Sequence, residues 1–119
     1  MHKINIKPLS TNALWQGRRF KTEAYEDYEK ELFVLLPKNY KVPSGKLSAT
    51  FEFGLSSKNA DADNCVKGFA DILQKFYGFN DKNFYEMTLR KVDVKKGQEY
   101  ISFQIQSYQQ ILDDFTSQK

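Results

Sequence analysis

Residues 46 to 55 alternate. Leu47, Ala49, Phe51, Phe53 and Leu55 are apolar, and Lys46, Ser48, Thr50 and Glu52 between them are polar. A period of two places all five apolar side chains on one side of an extended chain, so the segment predicts a half-buried strand that needs an apolar layer to cover it. Two helical patterns flank it and supply that layer. In the first, Thr22 is a suitable N-cap, and Glu23 and Glu26 suit the positive end of the helix dipole. Tyr25, Tyr28, Leu32 and Leu36 then recur at helical spacing until Pro37 stops the run. In the second, Val66, Phe69, Ala70, Leu73 and Tyr77 mark an apolar face that Gly78 closes.

The remaining segments complete the order. Ile4 and Ile6 predict a short first strand, and the Gln16-Gly17 turn signal predicts a small hairpin or ordered loop between Asn12 and Lys21. Residues 37 to 45, bounded by Pro37 and Pro43, read as a loop. Residues 84 to 94 and 99 to 106 read as two strands around Lys95-Lys96-Gly97-Gln98, which has the composition of a hairpin turn. The order β-α-β-α-β-β predicts an α/β (α+β) fold, a small mixed sheet with both helices on one face. No repeat or linker divides the chain, and 119 residues with ten Phe and seven Tyr suit one domain over positions 1 to 119.

Charge and cysteine content narrow the setting. Eighteen Lys and Arg against fifteen Asp and Glu leave a net +3, too mild to identify a nucleic-acid binder by total charge. Distribution says more: basic residues gather at Arg18, Arg19 and Lys21, around Tyr40, and at Arg90, Lys91, Lys95 and Lys96, while acids gather at 23 to 31 and 61 to 81. Solvated faces account for most such clusters. The one cysteine, Cys65, has no partner within the chain, and MHKINIKPLS lacks the apolar run of a signal peptide, so a cytoplasmic protein is expected.

The acids around residue 61 carry the chemistry. Asp63, Lys67 and Asp71 follow at i, i+4 and i+8 along the rim of the second helix, Asp61 precedes it, and Asp81 lies in the connection that leaves its far end. Three readings fit. Asp61 and Asp63 cap the helix. Alternatively, Asn59, Asp61 and Asp63 begin a calcium loop, against which Asn64 and Ala70 stand where glycine and a bidentate glutamate belong. Or Asp61, Asp63 and Asp81 converge as a magnesium site for phosphodiester chemistry, with Lys67 facing the phosphate.

The stretch Asp61-Ala62-Asp63-Asn64-Cys65-Val66-Lys67-Gly68-Phe69-Ala70-Asp71, followed by Phe79-Asn80-Asp81, resembles the RusA family of Holliday junction resolvases. Ser10-Thr11-Asn12-Ala13-Leu14-Trp15 and Arg18-Arg19-Phe20-Lys21-Thr22 are similar to the segment before that family's first helix, so the resemblance spans nearly the whole chain. It implies a Mg²⁺-dependent homodimeric endonuclease, with Mn²⁺ as a substitute. Asp61, Asp63 and Asp81 would bind metal, Lys67 would serve catalysis, and the product would carry a 5′-phosphate. Ala60 stands where some members have a basic residue. Asn80-Asp81 replaces an Asp-Asp pair, which makes Asp81 the better ligand and Asn80 either a neutral ligand or a residue supporting one.

Asn12, Trp15, Arg18, Arg19, Lys21 and Lys67 are the candidate DNA contacts, because aromatic rings interleaved with cations suit stacking on bases and contact with phosphates. Resolution of a four-way junction needs two cuts, and a two-fold dimer matches the substrate's symmetry. The competing reading is a non-catalytic binder of branched or single-stranded DNA.

Overall fold

The computed structural model describes residues 1–10, 15, 16 and 20–108, with backbone alone at 15, 16, 20 and 21. Its elements run β1 (His2–Ile4), β2 (Trp15–Gln16), β3 (Phe20–Lys21), α1 (Glu23–Leu35), β4 (Leu47–Leu55), α2 (Val66–Tyr77), β5 (Phe84–Asp93) and β6 (Tyr100–Ser107). Short 3₁₀ turns at Ala62–Cys65 and Asp81–Asn83 stand at the two ends of α2. β2 and β3 pair with each other, and the main sheet is ordered β1-β6-β4-β5. This is the expected mixed sheet with two helices, in the expected order.

Local chemistry sets the helix ends. The Thr22 hydroxyl accepts the N–H of Tyr25 at 3.2 Å and caps α1, whose Tyr25, Tyr28 and Leu32 are buried. Gly78 adopts φ +74° beyond α2 and its N–H reaches the Gln74 carbonyl, a left-handed cap that an L side chain would strain. No helix among the described residues is long and apolar enough to cross a membrane.

β4 is the centre of the sheet. Leu47, Ala49, Phe51, Phe53 and Leu55 are all buried beneath the helices, with the Phe69 ring of α2 5.3 Å from Phe51 and 6.1 Å from Phe53. Phe103 of β6 lies 5.7 Å from the same ring. On the opposite side of β4 the ring of Tyr100 lies against Gly54, in the space a Cβ would occupy, and its hydroxyl donates to Glu52 at 2.7 Å.

The hairpin expected from Lys95-Lys96-Gly97-Gln98 does not form. β5 runs parallel to one edge of β4, and β6 runs antiparallel to the other, so β4 separates them. The turn chemistry is present, with Gly97 at φ +93° and the Gln98 N–H on the Lys95 carbonyl, but it closes an arch over the end of β4. The Ser56 hydroxyl ties that arch down by donating to Glu99 at 2.7 Å. A central strand with both rows of backbone groups paired leaves no buried donor unsatisfied, and this requirement outweighs the local turn preference. β4, α2 and β5 thus form a parallel crossover unit, as a helix between two strands requires.

Candidate functional site

Both ends of α2 present an acid, and each is fixed by backbone geometry. At its start, Asp61 stands before the 3₁₀ turn. Its carbonyl accepts the Asn64 N–H at 3.2 Å, but its carboxylate makes no capping bond, and Cys65, the N-cap residue of α2, supplies no side-chain cap. The capping role is therefore carried by neither Asp61 nor a side chain at the head of α2. Lys91 of β5 clamps the segment ahead of this turn, its Nζ donating to the carbonyls of Lys58 at 2.9 Å and Ala60 at 2.6 Å.

At the far end, Asp81 opens the second 3₁₀ turn. Asn80 caps that turn by accepting the Lys82 N–H at 3.0 Å, so its side chain serves the backbone. Gln74 of α2 accepts the Asp81 N–H at 2.8 Å and donates to the Ala70 carbonyl and to Asp71 Oδ1.

Asp63, Lys67 and Asp81 line one open depression of about 410 Å³, together with Val66, Ala70, Phe84 and Met87. Asp61 lines a neighbouring depression of about 490 Å³ with Asn59, Asn64 and Cys65. The helix spacing placed Asp63 on α2, but α2 starts at Val66 and Asp63 belongs to the 3₁₀ turn, while Asp61 lies ahead of that turn in extended backbone, and the two acids line different depressions. Among the described residues no three His, Cys, Asp or Glu side chains gather as a metal cage. The two acids that share a depression match the way Mg²⁺ is held in phosphoryl chemistry, by one or two carboxylates with the other positions left to water and substrate.

Lys67 is exposed, and its Nζ lies 3.8 Å from Asp71, one turn along α2. A pair so open to solvent is worth under about 1 kcal/mol, so the ammonium is readily drawn to a phosphate. Cys65 behind the turn is buried. Burial first, and then the charge of Asp63, push its thiol from 9.0 up to about 11, which keeps it protonated and inert at neutral pH.

No protein-family model matches this chain, and no curated protein is significantly similar to it. Asn12, Arg18 and Arg19 lie outside the described residues, as do the side chains of Trp15 and Lys21. The contacts of Gln74 and Lys91 are what sequence reasoning missed. Each acts on a backbone group distant in sequence, so no local spacing signals it. Lys91 was expected to be solvated; it is exposed, and its ammonium also donates to two backbone carbonyls.

Proposed function

We propose that this chain is a RusA-type endonuclease of the cytoplasm that resolves four-way DNA junctions with Mg²⁺, acting as a homodimer. The observation that supports the proposal is the shared depression: two carboxylates from the 3₁₀ turns flanking α2 and a lysine from α2 line one surface open to solvent, which a phosphate could approach. Asp63 and Asp81 would hold the ion, and Asp61, just ahead of the turn that carries Asp63, lines the neighbouring depression. Mg²⁺, when bound, supplies Lewis acidity toward water and the phosphoryl oxygens. Lys67 places a positive charge against the phosphate as negative charge builds there, and Gln74 holds Asp81 in position. Hydrolysis adds a water hydroxyl to phosphorus, breaks the bond to the 3′ oxygen and returns the proton to that oxygen, leaving a 5′-phosphate.

The amide of Asn12, the aromatic ring of Trp15 and the basic side chains of Arg18, Arg19 and Lys21 would contact the DNA. One cut per chain makes the two-fold dimer the unit that resolves a junction. The second reading, a non-catalytic binder of branched or single-stranded DNA, is favoured by the separation of Asp61 from the other two acids. A labelled synthetic junction incubated with Mg²⁺ or with chelator separates the two. A nuclease nicks paired strands only with the metal, whereas a binder holds the junction in both and nicks neither.

A further inference from the structure

β5 ends the main sheet, so one of its edges carries the ladder to β4 and the other meets no strand among the described residues. Natural edge strands are shielded by prolines, inward charges, bulges or short length, because bare N–H and C=O groups invite pairing. β5 runs for ten residues, and its one irregularity lies at its start. Phe84 pairs with Leu47 and Glu86 with Ser48, which leaves Tyr85 extra and residues 86 to 93 in regular register. The strand is also apolar where it should be polar: Tyr85, Met87 and Leu89 are 57%, 45% and 40% exposed.

We infer that β5 is the dimer interface, pairing antiparallel with β5 of a second copy about a two-fold axis through Thr88. This rests on the homodimer of the proposed function and specifies its contact. An axis normal to the sheet sets residues of the same face opposite each other, so it must pass through a residue. By register with β4, Met87 and Leu89 share the helix face with Ala49 and Phe51, while Glu86, Thr88 and Arg90 share the other with Ser48, Thr50 and Glu52. An axis at Thr88 sets Met87 opposite Leu89 and Glu86 opposite Arg90. An axis at Glu86 or Arg90 sets like charges together, which destabilises a sheet. An axis at Leu89 sets Met87 against Lys91, whose ammonium is already bound to two carbonyls. An axis at Met87 leaves Glu86 against Thr88. Over residues 86 to 90, Thr88 alone matches charge with charge and apolar with apolar, which is the complementarity that selects a second copy as the occupant; Tyr85, the extra residue outside the regular register, is the one that comes opposite Lys91.

The pairing makes one eight-stranded sheet. Phe84 and Met87 line the depression that holds Asp63, Lys67 and Asp81, so the two sites come to lie on either side of the axis. A dimer built this way offers one site to each of two strands.

Sedimentation equilibrium of the full chain, without DNA or metal, tests the interface apart from the chemistry. Wild type is expected to be a dimer, and Glu86→Arg or Arg90→Glu alone to raise its dissociation constant at least about tenfold, because two symmetry-related pairs change sign together. The double variant E86R/R90E restores the pairing and returns the constant to within about threefold of wild type. Thr88→Cys, at an exposed position, is expected to form a disulfide-linked dimer under mild oxidation, since opposed residues in an antiparallel pair sit within disulfide reach. A monomer at all concentrations overturns the proposal, as does a monomer whose residues 109 to 119 protect Leu89 from exchange. A dimer indifferent to all three charge variants, or one in which Thr88→Cys does not cross-link, overturns the register. A changed register leaves metal-dependent cutting by each site untouched, a monomer at all concentrations removes the homodimer but not single nicks, and loss of Mg²⁺ dependence in cleavage leaves the sedimentation results unchanged.

Discussion

Gln74 accepts the backbone N–H of Asp81 at 2.8 Å, so the last turn of α2 fixes where the second acid of the site stands. The amide also donates to the Ala70 carbonyl at 3.3 Å and Asp71 Oδ1 at 3.4 Å, which locks its orientation from the helix side. Gln74→Ala removes all three bonds at an accessible position and is expected to cost about 1 kcal/mol of stability. Cleavage should fall by more than the melting shift accounts for, with a higher Mg²⁺ requirement, because Asp81 is no longer held. Metal titration of single-turnover cleavage, read beside the melting temperature, checks this. Equal Mg²⁺ requirement in wild type and variant would show that Gln74 does not position Asp81.

The three aspartates are expected to differ. Asp63→Asn and Asp81→Asn should abolish cleavage at any Mg²⁺ concentration, while the metal-free fold stays as stable or becomes more so as like charges are relieved. Asp61→Asn, altered in the neighbouring depression, should be slowed and rescued by raising Mg²⁺. Mg²⁺ should raise the wild-type melting temperature and raise that of Asp63→Asn and Asp81→Asn less. Thermal shift with and without the ion measures it.

Replacement of Arg18 or Arg19 by Ala should weaken junction binding across sequences and reduce the salt slope by about one per residue, because one phosphate contact is lost each time. Binding measured over a range of salt concentrations gives the slope directly. An unchanged slope in both variants would remove them from the DNA path.

Stability should fall as pH rises above about 9. Burial holds the Cys65 thiol at about 11 and the Tyr25 and Tyr77 hydroxyls at about 12 in the folded chain, above ordinary values of 9.0 and 10.0. Each group is raised, so the unfolded chain releases its proton first. The contribution is complete below the unfolded value and is lost as pH climbs through the folded one, between about 9 and 11 for Cys65 and between about 10 and 12 for the tyrosines. Melting temperature against pH should be flat from 7 to 8.5 and decline beyond. Cys65→Ser should flatten the first part of the decline.

Helix ends and the central strand were legible because their signals are local. Thr22, Pro37 and Gly78 act on the residues beside them, and the alternation from Leu47 to Leu55 needs only a period of two. The pairing of β5 and β6 was not legible, since Lys95-Lys96-Gly97-Gln98 carries hairpin chemistry whether its strands meet or straddle a third. The site was half legible. Spacing put Asp63 near Lys67, and Asp81 was named from its place after α2, but the extended backbone that sets Asp61 ahead of the 3₁₀ turn depends on where α2 begins. The contacts of Gln74 and Lys91 are tertiary and leave no pattern in the chain.

The central claim is that the acids around α2 cut junctions with a divalent ion. It is tested most directly by single-turnover cleavage of a labelled four-way junction and of duplex DNA of the same sequence, each with Mg²⁺ and with chelator. The account predicts paired nicks at opposed positions of the junction in Mg²⁺, none in chelator, and far slower cutting of the duplex. Equal cutting of duplex and junction, or junction binding without any nick in Mg²⁺ or Mn²⁺, would contradict it.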